Sequence, residues 1–285
     1  MRVFESNLAH KNRRLGKAKK AYDQGAVINF SGSEGRESAS CSDLPNRVRT
    51  IRKLPNRVLD APELLDDYYL NLLDWSALNV VAVALGPAVY LYNTSSCETS
   101  KLCDLGESDL VSSIKFAEDG NRIAVGTFTG QLRVFDTAYE KETMTFNGHT
   151  DRVGVCAWSP ANLAGGDVLC SGSRDRTILK RDLRQRGDIF EILQGHREEV
   201  CGLAWAPDGS RLASGANDNK VLLWSAKPFT KPVQQLVGHR AAVKALAWSP
   251  HTHGLLASGG GTSDRSIRFW NTLTGEQRRA IDAGA

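Results

Sequence analysis

The sequence predicts an all-β fold in which four-stranded sheets stack around an axis as the blades of a β-propeller. Three observations carry this. A unit of roughly 40–45 residues returns along the chain: Gly-His, a gap, Ala-Trp-(Ser/Ala)-Pro, Leu-(Ala/Cys)-Ser-Gly, Asp, then an apolar strand closed by an aromatic. Its marker aromatics, Trp75, Phe116, Trp158, Trp205 and Trp248, fall 41, 42, 47 and 43 residues apart. Turn formers such as Glu118-Asp119-Gly120-Asn121 and Pro207-Asp208-Gly209-Ser210 separate short apolar runs.

Residues 1–53 come first and read as a basic, largely disordered arm. They include Lys11-Asn12-Arg13-Arg14 and Lys17-Ala18-Lys19-Lys20, followed by the Gly/Ser-rich stretch Ser31-Gly32-Ser33-Glu34-Gly35. Through Arg57 there are 13 Lys/Arg against 5 Asp/Glu, a surplus of +8; the whole chain is +4, so the remainder carries −4. Such an arm can attract anionic partners, but its low hydrophobicity reads as solvated chain, and no nucleic-acid partner is expected. Leu44-Pro45-Asn46-Arg47-Val48 then recurs as Leu54-Pro55-Asn56-Arg57-Val58, an extended lead-in whose prolines cannot donate to a ladder.

Residues 54–285 are expected to form the propeller. Blade one starts near Tyr69 and continues through the apolar run Val80-Val81-Ala82-Val83-Ala84-Leu85 and Ala88-Val89-Tyr90-Leu91-Tyr92. Blade two is expected over residues 111–116, 122–126 and 132–135. Blade three runs from Gly148-His149 through Ala157-Trp158-Ser159-Pro160 and Leu169-Cys170-Ser171-Gly172 to Asp175. Blade four runs from Gly195-His196 through Trp205, Ser214 and Asp218 to Trp224; blade five runs from Gly238-His239 through Trp248, Ser258 and Asp264 to Trp270. Inner strands covered on both faces are apolar without alternation, as residues 80–85 are.

This unit resembles the WD40 repeat. The resemblance implies a buried network in each good repeat, His196, Ser214, Asp218 and Trp224 in blade four and His239, Ser258, Asp264 and Trp270 in blade five. An imidazole linking a carboxylate to a hydroxyl satisfies buried polar groups and ties loop to sheet. A Ser, His and Asp set also invites a hydrolase reading. Its recurrence in each blade with Trp as fourth member, and the absence of a Gly-x-Ser-x-Gly elbow, argue for structure and against catalysis. The repeats degrade in places: blade two has no Gly-His and has Thr129 where Asp is expected, and blade three has Arg181 in place of the Trp.

Other chemistries find little support. No apolar run approaches the length of a membrane span, and the N-terminus has no apolar core of a secretory signal. The six cysteines form no Cys-x-x-Cys pair and have no His spaced to complete a zinc site, so neither metal nor cofactor is expected and a reducing compartment is. Gly259-Gly260-Gly261-Thr262-Ser263 lacks the Lys and helix of a phosphate loop, and His251-Thr252-His253 lacks further ligands.

Six further segments, in three pairs, are more specific. Leu54-Pro55-Asn56-Arg57-Val58-Leu59-Asp60-Ala61-Pro62-Glu63 runs into Asp67-Tyr68-Tyr69-Leu70-Asn71-Leu72-Leu73-Asp74-Trp75-Ser76. Glu199-Val200-Cys201-Gly202-Leu203-Ala204-Trp205 precedes Ser214-Gly215-Ala216-Asn217-Asp218-Asn219. Ala242-Val243-Lys244-Ala245-Leu246-Ala247-Trp248 precedes Gly259-Gly260-Gly261-Thr262-Ser263-Asp264-Arg265. Over residues 54–285 the chain resembles the fizzy family, the cell-division-cycle 20 and fizzy-related WD40 activators of the anaphase-promoting complex.

That resemblance implies a non-enzymatic subunit that reads degradation motifs for a ubiquitin ligase in the cell cycle. Its partners would be ligase subunits, degron-bearing cell-cycle proteins and spindle-checkpoint proteins, in the nucleus and cytoplasm. A Lys-Glu-Asn motif would sit on the loop face at Asp67, Tyr68, Asn217, Asn219 and Thr262: a carboxylate for the Lys, amides for the Glu and Asn, and a ring as wall. A destruction box would use Leu59 and Asp60, with Val83 in its leucine pocket. The family's propeller has seven blades where five are expected here, so half of the destruction-box groove would be missing. A generic WD40 scaffold, or a truncated paralogue that no longer activates the ligase, is the alternative. Blades one and five would each present a face built for burial.

Overall fold

In the computed structural model the described residues are 55, 57–161, 166–185, 190–227 and 231–284. The expected arm over residues 1–53 lies outside them. Two compact units divide the chain, Met1–Pro62 and Glu63–Ala285, and every strand among the described residues belongs to the second. Among the described residues twenty strands form five four-stranded antiparallel sheets, each a meander of consecutive strands.

Blade one comprises β1 (Leu73–Trp75), β2 (Val80–Leu85), β3 (Ala88–Asn93) and β4 (Thr99–Asp104). Blade two comprises β5 (Val111–Phe116), β6 (Arg122–Thr127), β7 (Leu132–Asp136) and β8 (Lys141–Phe146). Blade three comprises β9 (Val153–Trp158), β10 (Val168–Ser173), β11 (Thr177–Asp182) and β12 (Glu191–Gln194). Blade four comprises β13 (Val200–Trp205), β14 (Arg211–Ala216), β15 (Lys220–Ser225) and β16 (Pro232–Val237). Blade five comprises β17 (Val243–Trp248), β18 (Leu255–Gly260), β19 (Ser266–Asn271) and β20 (Glu276–Asp282).

The first strand of each blade lies innermost, where β5 packs on β9, β9 on β13 and β13 on β17. Space there is short. A Cβ built on Gly215 of β14 would land on the Val243 carbonyl oxygen of the next blade, which is why glycine recurs at that place in the repeat. Apolar layers between blades form the core. Ala213, Val221, Leu223 and Leu236 of blade four, for example, pack on Val243, Leu256 and Trp270 of blade five. The marker tryptophans turn toward the preceding blade. Trp158 Nε1 donates to the Lys115 carbonyl of blade two at 2.9 Å, and Trp248 Nε1 to the Ala204 carbonyl of blade four at 2.9 Å.

The end blades differ from the middle ones as their position dictates. Val80, Ala82 and Ala84 face the core shared with blade two, while Val81, Val83 and Leu85 are only half-buried, so β2 alternates in exposure although its sequence does not alternate in polarity. Trp75 is 64% exposed, whereas its counterpart Trp158 is 8% exposed. On blade five Ile267 and Ile281 are 40% and 38% exposed, whereas the matching Val221 and Leu236 of blade four are 0% and 1%. Blade one also begins later than expected. Its first strand starts at Leu73, and residues 67–71 leave the sheet, with Asn71 making a parallel bridge to Ser113 of β5.

Candidate functional site

In an antiparallel meander the turn between second and third strands and the link to the next blade emerge at the same end. One face of the propeller is built from these loops, and the His, Ser, Asp and Trp sets stand beneath it. In blade four His196 Nδ1 lies 3.2 Å from Asp218, His196 Nε2 lies 2.7 Å from Ser214 Oγ, and Trp224 Nε1 donates to the same oxygen at 2.8 Å. In blade five His239 lies 2.6 Å from Asp264 and 2.6 Å from Ser258, and Trp270 donates to Ser258 at 2.7 Å. Each aspartate also accepts a backbone N–H from the opposing loop, that of Arg197 or Arg240 at 3.1 Å. The two loops at this end of each blade are thereby tied together at their base.

Blade three keeps the arrangement with a different donor. His149 bridges Asp175 and Ser171 at 2.8 and 2.9 Å, and Arg181 Nη1 donates to Ser171 Oγ at 3.2 Å from the place that Trp holds in blades four and five. The expectation that Arg181 marks a degraded repeat is therefore corrected. A buried guanidinium supplies the N–H that the indole supplies elsewhere, between the rings of Phe146 and Phe190 at 5.3 and 5.2 Å. In blade two Thr129 donates through Oγ1 to Asp109 at 2.5 Å, a shorter link made without histidine.

The inner rim of this face carries a second constellation. Residues 67–71 cross it and are held by four blades. Asn71 Nδ2 donates to the Gly154 carbonyl at 2.7 Å, beside its bridge to blade two. Tyr69 Oη donates to Asn217 Oδ1 at 3.0 Å, and Tyr68 Oη to the Ala242 carbonyl at 3.2 Å. Lys244 Nζ donates to the carbonyls of Tyr68 and Leu70 at 2.6 and 2.7 Å, 5.4 Å from the Tyr68 ring centre. Arg152 grips both oxygens of Glu199 at 2.9 and 3.0 Å, reaches Asp67 at 3.3 Å, and lies 5.3 Å from the Tyr69 ring centre.

Burial and pairing set the protonation here. Burial pushes the Tyr68 phenol up to about 12, so it stays a neutral donor. Desolvation lowers the Lys244 ammonium, whereas the hydrogen bonds to Glu199 raise the Arg152 guanidinium. Burial also raises the Cys201 thiol, to about 12, leaving it an inert apolar filler. Among the described residues no group of three or more His, Cys, Asp or Glu is placed to hold a metal ion.

Of the residues expected to read a Lys-Glu-Asn motif, Asp67, Tyr68 and Asn217 meet at this rim. Asp67 is not an open carboxylate: one oxygen accepts the Tyr69 N–H at 2.8 Å and the other faces Arg152. Asn217 has its amide oxygen engaged by Tyr69, which leaves its NH2 to donate. Tyr68 is 42% exposed. Asn219 stands in the neighbouring turn at φ 65, a left-handed conformation that asparagine tolerates, and Thr262 is exposed in the matching turn of blade five. Neither side chain has a hydrogen bond among the described residues. Val83 is half-buried on the uncovered side of β2, between its register partners Leu73 and Tyr90. Leu59 and Asp60 are exposed in the unit Met1–Pro62.

Sequence reasoning missed Tyr69, Arg152, Glu199 and Lys244. The available signal was positional: Arg152 and Glu199 immediately precede the inner strands of their blades, at the place where blades two and five have Leu110 and Ala242.

Comparison with known proteins agrees with the propeller fold. The profile of the CDC20/Fizzy WD40 domain matches residues 59–285. The chain belongs to the CDC20/Fizzy family. It is similar to the protein FIZZY-RELATED 3 of Arabidopsis thaliana, 48% identical over 89% of this chain and 51% of that protein. It is 50% identical to the B-type cell cycle switch protein ccs52A of Medicago truncatula, over 83% of this chain and 48% of that one. The anaphase-promoting complex subunit cdc20 of Dictyostelium discoideum is 39% identical over 89% of this chain and 50% of its own length. A chain in the crystal structure of the mitotic checkpoint complex superimposes with a TM-score of 0.79 at 43% identity, covering 92% of this chain and 76% of that chain. The chain spans about half the length of the curated relatives it matches. The CDC20/Fizzy match runs through all five blades, including the rim segment and the turns that carry Asn219 and Thr262.

Proposed function

We propose that this chain is a non-catalytic recognition module of an anaphase-promoting-complex activator, and that its loop face holds a Lys-Glu-Asn motif of proteins marked for degradation. One observation carries the reading: Asn217, 148 residues beyond Tyr69, converges with Asp67 and Tyr68 at the inner rim through Tyr69, Lys244 and Arg152. The Asn217 NH2 and the Asn219 amide would serve the motif's Glu and Asn, and the exposed part of Asp67 would face its Lys. Ligase subunits, checkpoint proteins and motif-bearing substrates are the partners this reading assigns, by analogy with the family.

The non-catalytic assignment rests on where each reactive set points. Ser171, Ser214 and Ser258 are 0–1% exposed, and each hydroxyl is shared between an imidazole and a second N–H donor, so none is open to a substrate. By analogy with the family, this reading assigns Leu59, Asp60 and Val83 to a destruction box.

The test is fluorescence anisotropy with a labelled peptide carrying Lys-Glu-Asn. Saturable binding that weakens at least ten-fold in Asn219→Ala and in Asp67→Ala is expected. A scrambled peptide that binds equally well, or binding indifferent to both substitutions, would reject the motif reader in favour of a general scaffold.

A further inference from the structure

We infer that the loop face of blades three to five is a cationic surface that takes acidic residues flanking the bound motif, an inference that rests on the peptide-binding reading above. Residues 58–285 carry a net charge of −4, yet this face is positive. The reason lies in the buried networks. Asp175, Asp218 and Asp264 are turned inward to histidine, and their side chains are only 10%, 6% and 2% exposed. The same loops leave Arg174, Arg176, Arg197, Arg240 and Arg265 exposed. The acids remaining there are the exposed Glu198, the half-buried Asp151, which lies 3.8 Å from Arg174, and Glu199 and Asp67, both paired with Arg152. Lys220 adds a half-buried cation.

Position ties this surface to the proposed site. Arg176, Asn219 and Arg265 occupy the same place in the turns of three successive blades, with φ of 73, 65 and 52. Left-handed backbone suits Asn219 but is rarely adopted by arginine, so the fold holds Arg176 and Arg265 against local preference, one blade to either side of a proposed motif contact. Arg265 Nε donates to the carbonyl of Thr262 at 3.0 Å. Arg197 and Arg240 each follow a network histidine, and their backbone N–H groups are pinned by Asp218 and Asp264. A peptide lying across Asn217 and Asn219 therefore runs out over arginines in both directions. Exposed guanidiniums bind carboxylates with bidentate geometry, and the attraction is strongest at low salt.

Three labelled peptides test this on the whole 285-residue chain: Lys-Glu-Asn flanked by aspartates, Lys-Glu-Asn flanked by serines, and a scrambled motif flanked by aspartates. The aspartate flanks should tighten binding about three- to ten-fold at low ionic strength, and the gain should fade in high salt. Arg176→Gln/Arg240→Gln should abolish that gain and leave the serine-flanked peptide unchanged, which also reports an intact fold. Arg176→Glu/Arg240→Glu should make the aspartate-flanked peptide the weaker of the two. Equal binding of aspartate- and serine-flanked peptides, or a gain that survives both double variants, overturns the inference. An oligothymidylate of equal charge binding as tightly as the aspartate-flanked peptide would assign the surface to nucleic acid and also overturn it. Failure of the motif reading looks different: the serine-flanked motif would do no better than the scrambled peptide, while an arginine-dependent gain from aspartate could still stand.

Discussion

Replacing Ser214 with alanine removes one oxygen and strands two nitrogens. Ser214 is 0% exposed, with His196 Nε2 at 2.7 Å and Trp224 Nε1 at 2.8 Å. With Asp218 beside Nδ1, the imidazole carries its proton there and Nε2 accepts from the serine hydroxyl, which in turn accepts from the indole. Alanine leaves the indole N–H without an acceptor and Nε2 without a donor, in a space too full for water to replace the hydroxyl. Each buried polar group left unmet costs about 1–3 kcal/mol, so Ser214→Ala should destabilise by about 2–5 kcal/mol. Urea unfolding followed by circular dichroism measures this. The double variant Ser214→Ala/Trp224→Phe supplies the sharper check, because once the indole N–H is gone the serine has less to satisfy. The two losses should fall short of additivity by about 1–2 kcal/mol. A Ser214→Ala loss under about 0.5 kcal/mol, or additive losses, would refute the relay.

Trp158→Ala should cost about 3–5 kcal/mol, whereas Trp75→Ala, at a site already 64% exposed, should cost under about 1.5 kcal/mol; thermal melts giving equal losses would contradict the exposure of blade one. Gly215→Ala should destabilise by at least about 2 kcal/mol, read by the same melts, because its Cβ meets backbone that cannot swing aside. Acid should also destabilise. Burial pushes the His239 imidazole below its usual value despite the pull of Asp264. Burial alone would raise the Asp264 carboxyl, but hydrogen bonds from Ser266, His239 and the Arg240 N–H outweigh it and bring it down to about 2. Both folded values lie below the unfolded ones, so each group contributes stability above its unfolded value, about 6.5 and 3.9, that is lost as pH falls through the folded one. Tm should be level from about pH 8 to 6.5 and fall below that, most steeply between about pH 4 and 2; a maximum near pH 5 would contradict the assignment.

The blades were legible because the repeat writes its packing into the sequence. Trp158, Trp205 and Trp248 each mark a strand pressed on the preceding blade, and the glycines after Ser171 and Ser214 mark where the next one arrives. The outer strands were harder to see. Strand β8, Lys141–Phe146, is exposed at every position but the last, so no apolar alternation announces it. Residues 69–72 look like the start of a strand by composition, but Tyr69 and Asn71 find partners on other blades and leave the sheet. Arg181 reads as a lost tryptophan because its likeness to one lies in a single N–H vector, which a repeat alignment does not record. The Arg152–Glu199 pair was invisible for a related reason: its members are 47 residues apart, and only the approach of two blades joins them.

The crossing of residues 67–71 over the rim sets a timetable. Tyr68 is made early but takes its partner at Ala242, 174 residues later, and Lys244 closes over the same backbone. Contacts that distant form late, since the intervening chain must first be ordered. On a ribosome synthesising from the N-terminus, the rim stays unassembled until blade five has emerged. A chain interrupted before Lys244 would carry four complete blades yet lack the clasp on the Tyr68 and Leu70 carbonyls, so the rim takes its final form only with the last blade.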